Sequence, residues 1–477
     1  MRRSITPFEF AALAYLAVPV ALFFLVYARF RYGLPLAGLV GFSLWQCWRL
    51  VDRRSSFFRP GWVDAHFLGC AALIVFVSGS FGGAFFPNSD WFKHFGVLRF
   101  LVDNEFLTGT APGYDGSTMR YYLGWYVVPA LLTKAIGQAS MMWILGTWTT
   151  AGLYLFFRTA AQLSDSARWR YALPAVFLAF SGADALGSSI TEFSIGPKWH
   201  IEWWAGWVQY SSMITDIFWA PQHALSAWLG AALALRLKDN NASLVAFPLA
   251  TATILMWSPF SAIGLAPFYL WTMARSARSL RLVEMVSAAG MLAVTVIILL
   301  YLRAGDGATS MVFVTVLESP CLKLGPCYTA PNYLSFLAIE ILGFLIILHF
   351  LARGRSAFLW IATVMLLLLP FAKFGGANDL NLHASIPPLA LIAVCVWQAL
   401  QQAPSAAAFA LGCLLAAGAA TPLGEIRRSF LMTSGPTQDM GMDLLIKDMP
   451  SVRGQYLIET PPWMLRKLPP QATEAAR

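Results

Sequence analysis

Of the 477 residues, 58% are hydrophobic and only 12% charged, a mixture too apolar to be hidden in a water-soluble core. The chain reads as a polytopic membrane protein. Its net charge of +9 comes from Lys and Arg in short clusters between apolar runs, which excludes a basic nucleic-acid-binding domain and makes the charges topology signals.

The first run, Phe10 to Ala28, is long enough to span and is followed by no A-x-A-like cleavage site, so it is expected to stay as a helix. Uncharged runs of roughly 17 to 25 residues mark spanning helices. They predict an all-α fold of about thirteen transmembrane helices near 8–28, 33–49, 66–86, 138–157, 171–187, 217–235, 243–258, 260–274, 284–302, 333–351, 356–374, 384–399 and 404–421. Two of the runs are too long for one span. Ser258-Pro259 and Gln401-Gln402-Ala403-Pro404 supply the turns that split them.

Arg49, Arg53, Arg54 and Arg59 place the second connection in the cytoplasm by the positive-inside rule, with the N-terminus on the same side. Further cytoplasmic clusters are Arg158/Arg168/Arg170, Arg236/Lys238, Arg275/Arg278/Arg281 and Arg353/Arg355. A spanning helix at 120–137 would turn Arg158 to Arg170 outward. The stretch carries Tyr121, Tyr122, Trp125 and Tyr126, an aromatic cluster of headgroup-level type, and is expected to lie on the outer face. Segments 87–137, 188–216, 303–332 and 372–383, with the chain after Pro422, then fall outside.

The stretch Pro87-Asn88-Ser89-Asp90-Trp91-Phe92-Lys93-His94 sets a carboxylate, an ammonium and an imidazole at the mouth of the third span. Ionisable groups are costly there and mark a site by default. A helix starting near Trp91 would lay Phe92, Phe95, Leu98 and Val102 on the bilayer. Asp90 suits catalysis as a base and, equally, the N-cap of that helix; Lys93 and His94 suit phosphate binding or snorkelling to the headgroups.

The succession of a span, an outer acidic motif (Ser89-Asp90), an amphipathic stretch (Trp91 to Phe106), a basic residue leading into an aromatic helix (Arg120-Tyr121-Tyr122-Leu123-Gly124-Trp125) and a span ending in arginines resembles the N-terminal module of the GT-C superfamily of membrane glycosyltransferases. That superfamily includes the protein mannosyltransferases and the aminoarabinose transferases of lipid A. The resemblance covers roughly residues 60–220. It implies a hairpin at 1–59 added to the family plan, a catalytic module at 60–235, a C-terminal transmembrane module at 236–421 and an extracytoplasmic tail at 422–477. It also implies transfer, with inversion, of a sugar from a polyprenyl-phosphate-linked donor to an extracytoplasmic glycan, lipid or protein acceptor, in the bacterial inner membrane. Family members often carry a second acidic neighbour at the first motif, whereas Trp91 follows Asp90 here. A divalent cation is therefore left open.

On that reading Asp90 takes the acceptor proton, and Lys93, His94, Arg99 and Arg120 face the leaving lipid phosphate. The position of a second acidic residue falls on Asp184 or Glu192, with Asp103 as a further candidate. The loop 188–216 is dense in aromatic and ionisable groups, including Glu192, Lys198, His200, Glu202 and Trp204, and suits sugar rings or an interfacial belt. His223 opens the next span and either contacts phosphate or bonds a neighbouring helix. Lys373 and His383 flank a Gly-rich turn that suits an anionic headgroup or a plain polar connection.

Cys321 and Cys327 bracket a Gly-Pro turn in an outer loop, where a disulfide and free thiols are both open. No GxxxxGK(S/T) loop, CxxC pair or HExxH helix occurs, so ATP-driven transport and zinc proteolysis lack their usual residues. The alternative class is a secondary transporter or flippase for a lipid-linked or anionic solute. Such proteins place charges near the bilayer midplane, whereas most ionisable residues here fall at span ends. A polysaccharide polymerase or ligase would use the late 303–332 loop.

Overall fold

The computed structural model describes residues 3–52, 61–81, 85–109, 116–191, 200–206, 208–304, 311–313, 330–374, 378–432, 453–459 and 461–466. The described residues are mostly helical, with two small two-stranded sheets. Five described helices are long and apolar enough to cross a membrane: Pro7–Tyr27, Leu282–Arg303, Asn332–Leu351, Asp379–Gln402 and Ser405–Leu431. Three shorter apolar helices join them, Trp62–Val77, Ser243–Trp257 and Ala357–Phe371. The protein is thus an all-α membrane protein.

Helix α1 (Pro7–Tyr27) begins at a capping box in which Thr6 and Glu9 satisfy each other's backbone N–H groups. It packs beside α2 (Phe30–Arg49). Next come α3 (Trp62–Val77), α4 (Trp91–Asp103), strand β1 (Thr118–Met119), α5 (Gly124–Ile136), α6 (Met141–Ala161) and α7 (Ala167–Leu178). The middle of the chain forms α8 (Asp184–Ile190), a 3-10 turn (Ile201–Ala205), α9 (Met213–Trp219), α10 (Pro221–Leu237), α11 (Ser243–Trp257), α12 (Pro259–Ser276), α13 (Leu282–Arg303) and strand β2 (Met311–Phe313). A long helix follows whose parts, α14 (Ala330–Leu337) and α15 (Gly343–Leu351), flank a π-helical turn at Ala338–Leu342. The chain ends through α16 (Ala357–Leu368), β3 (Ala372–Phe374), α17 (Asp379–Ala384), α18 (Ile386–Gln402), α19 (Ser405–Gly418), α20 (Ala420–Leu431), a helical turn Arg453–Tyr456 and β4 (Leu457–Ile458). The breaks at Ser258 and at Ala403-Pro404 lie where the sequence placed its turns.

Helix α10 is apolar on every side and buried along almost its whole length, the pattern of a helix with neighbours all round. It packs against α6, α11, α12 and α18 and forms the axis of the bundle. One end of the bundle holds three ion pairs between helices and the N-terminal segment. There Arg3 meets Glu284 at 3.1 Å, Arg236 meets Glu9 at 2.7 Å, Arg158 meets Asp64 at 2.8 Å, and the Ile5 amide donates to the Leu50 carbonyl. The opposite end carries Asp90 and the segment 453–466, which is strapped down by antiparallel β1–β4 pairing and a bridge from Ala28 to Leu465.

Two sequence expectations change. Helix α4 does not lay its apolar face outward: Phe95 and Leu98 are buried, and the Trp91 indole donates to the Phe218 carbonyl. Helix α5 does not lie flat with its aromatics at the surface. It stands against α1, α4 and α6, with Trp125 and Tyr126 fully buried and the Trp125 indole donating to Thr149 of α6. Its start at Gly124 presses on Trp257, whose indole donates to the Leu16 carbonyl halfway along α1. Its far end is tied back to α4 by Lys134 donating to the Asn104 carbonyl. Aromatic rings suit an interface and a packed interior equally, so composition alone does not separate the two.

Candidate active-site cleft

At the Asp90 end of the bundle the α11–α12 hairpin turns at Ser258, at the depth of Leu16, and α5 starts at the same depth. Above this floor converge residues from five parts of the chain: Asp90 and Lys93 of α4, the Tyr121-Tyr122 segment, His223 of α10, Asp379 and His383 of α17, and Tyr456.

Asp90 precedes α4 but does not cap it, and its side chain accepts no backbone N–H of the first turn. It pairs instead with Lys93 Nζ at 2.5 Å, with the carboxylate 36% and the lysine 18% exposed. Burial alone would raise the Asp90 carboxyl; the Lys93 charge and hydrogen bond outweigh it and hold the group below its usual range. For Lys93, burial is likewise outweighed by Asp90, and the ammonium is stabilised. The cleft thus opens on an ionised carboxylate and a cation. A carboxylate of this kind accepts a proton, and a cation beside it holds a phosphate.

A chain of hydroxyls and imidazoles runs down from them. The Tyr121 hydroxyl donates to the Tyr122 hydroxyl at 2.7 Å, Tyr122 meets His223 Nε2 at 3.2 Å, and His223 Nδ1 meets Ser258 Oγ at 2.6 Å. His383 stacks on His223 with ring centroids 3.7 Å apart and 9° between planes. Tyr456 closes one side against Tyr121 at 4.9 Å.

The other predicted site residues are distributed as follows. His94 is fully buried with Nδ1 on the Tyr126 hydroxyl and Nε2 on the Trp219 carbonyl. Burial, reinforced by Lys93, brings its imidazole down to about 3, so it braces the bundle as a neutral ring. Arg120 donates to the carbonyls of Ala304 and Gly454, fixing the C-terminal segment and not facing the cleft. Arg99 and Asp103 form an i,i+4 pair at 2.9 Å on the surface of α4. Lys373 lies on β3, paired in register with Val312. Glu192, Cys321 and Cys327 lie outside the described residues. The sequence reading did not name Tyr456, Asp379 or Ser258 as site residues; a lone Tyr or Ser in a loop carries no site signal until the fold closes around it.

Asp184 belongs to a separate buried polar network. His200 Nδ1 meets Glu425 at 2.8 Å and its Nε2 lies 3.3 Å from Glu202. Burial works against the imidazolium, but Glu425 and Glu202 raise it to about 10 and keep it charged. Glu202 also accepts from Gln209, Thr215 and the Ser212 amide. Among the described residues no group of three His, Cys, Asp or Glu side chains is placed to hold a metal ion.

An apolar groove of about 530 Å³ between α12 and α16, lined by Pro267, Trp360 and Val364, ends at Ala372 beside Lys373. From there Phe374 touches Phe260 at 5.6 Å, and Phe260 lies 6.0 Å from His383. No family model, curated protein or solved structure matches the chain.

Proposed function

We propose that the protein is a GT-C-type membrane glycosyltransferase that moves a sugar from a polyprenyl-phosphate-linked donor to an acceptor outside the membrane. The observation that carries the reading is the Asp90–Lys93 pair, half-open to solvent and facing His223 and His383 in a cleft at the end of the bundle away from the arginine clusters. Asp90 takes the proton of the acceptor hydroxyl as it attacks the anomeric carbon, and Lys93 stabilises the departing phosphate. The groove ending at Ala372 suits the prenyl tail, because its mouth adjoins Lys373 and, through Phe374 and Phe260, the cleft. The reading keeps about thirteen spans, with the N-terminus and the arginine end cytoplasmic, the C-terminal tail extracytoplasmic, and the whole in the bacterial inner membrane.

The second reading, a transporter or flippase, is favoured by one feature: buried carboxyl groups at Asp184 and Glu340 within the helical bundle. Reconstituted liposomes separate the two. Release of polyprenyl phosphate from a prenyl-phosphate sugar, dependent on an added acceptor, is the expected result. Movement of a labelled prenyl-phosphate lipid between leaflets with no sugar released from any donor would replace the first reading with the second.

A further inference from the structure

Away from the cleft, four elements meet at two carboxyl groups. Asp184 opens α8 and is 1% exposed, and Glu340 sits in the π-turn between α14 and α15 and is 3% exposed. The Trp204 indole N–H is shared between them, 3.1 Å from Asp184 Oδ1 and 3.2 Å from Glu340 Oε1. One neutral N–H therefore serves an oxygen of each carboxyl group, and two ionised carboxyls around it would repel across a buried space unless one of them carries a hydrogen.

The donors around the pair show where the charge sits. Asp184 receives Thr421 Oγ1 at 2.7 Å and Ser181 Oγ at 3.1 Å besides the indole, as an ionised carboxylate requires. Among the described residues Glu340 receives only its share of the indole, and its Oε2 is buried with no donor. As an anion it would leave a charged oxygen buried and bare, which burial strongly disfavours. As an acid, the Glu340 carboxyl is neutral and leaves no charged oxygen bare. Gly182 makes room for this oxygen, since a Cβ there would collide with Glu340 Oε2. The π-turn supplies the register that points Glu340 inward, and such turns recur at functional sites.

We propose that Asp184 and Glu340 form a carboxylic acid–carboxylate pair that binds a single proton inside the bundle. Glu202, on the 3-10 turn, is the further charge facing both groups; it is itself held by His200, which also bonds Glu425 of α20, and Asp216 of α9 faces it from the other side. The bound proton joins α8, the π-turn, the 3-10 turn and α20. Its loss sets two like charges about one indole N–H and opens that joint. The site does not depend on the sugar-transfer reading, because neither carboxyl faces the cleft.

Infrared spectra of the full-length protein in lipid nanodiscs read the protonated carboxyl directly through its C=O stretch. At neutral pH the wild type is expected to show a protonated-carboxyl band that shifts on deuteration and on labelling with carbon-13 glutamate. Glu340→Gln removes it. Asp184→Asn keeps the acid but takes away its charged partner, so there the band persists at a changed frequency. A wild type with no glutamate-sensitive band overturns the proposal without any variant having to fold. A band untouched by Glu340→Gln overturns it as well, and so does one abolished by sodium ions, which would make the pair a cation site.

Discussion

Asp90 occupies the position of an N-cap and does not perform its task. Its φ and ψ of −64° and −19° are those of a helical residue, and the extended geometry that aims a capping oxygen at the next N–H groups is missing. The carboxylate is free to pair with Lys93, one turn on, and that pairing sets its protonation. The folded-state carboxyl is lowered, so the base is lost only as pH falls through that lowered value, and activity is flat above it. In Lys93→Met the stabilising charge and hydrogen bond are gone while burial remains. The acid limb of the kcat profile is expected to move to higher pH, and a limb that stays in place would remove Asp90 from the rate equation. The acidic motif itself was legible in the sequence as charge at the mouth of a span. Its partners were not, because Tyr122, His223, His383 and Tyr456 are far apart in the chain and meet only through helix packing.

At the scale of elements, the cleft exists because two helices stop short. The α11–α12 hairpin turns at Ser258-Pro259, where Ser258 caps α12 by accepting the Ser261 amide, and α5 begins at Gly124 because the Trp257 indole fills the space a side chain would need. Gly124→Ala drives a methyl into that ring. It is expected to cost about 1–3 kcal/mol, read as a lowered thermal midpoint, and a variant as stable as the wild type would show that α5 and α11 are not locked here. The hairpin's break was legible from a single Ser-Pro step in a long apolar run. The standing of α5 was not, since its Tyr and Trp residues give the same composition whether they meet headgroups or the Trp257 face.

Taken as a whole, the molecule has a chemical polarity along its axis. Arg3, Arg158 and Arg236 are tied to Glu284, Asp64 and Glu9 at one end, and the Asp90 cleft lies at the other. The alternation of arginine clusters with apolar runs carried this arrangement in the sequence, because topology is set by charge near span ends. In a cysteine-free background, single cysteines at the exposed positions Ala139 and Arg168 are expected to react with an impermeant maleimide from opposite sides of the membrane. Reaction from the same side would mean that α6 does not cross, and the outward placement of Asp90 would fall with it.

The proposed sugar transfer depends most directly on the Asp90 carboxylate as its base. Asp90→Asn keeps size and hydrogen-bonding shape and removes the base, so with a prenyl-phosphate sugar that the wild type turns over, kcat is expected to fall by about 100-fold or more while the thermal midpoint and donor affinity hold. Transfer by Asp90→Asn at close to the wild-type rate would contradict the account.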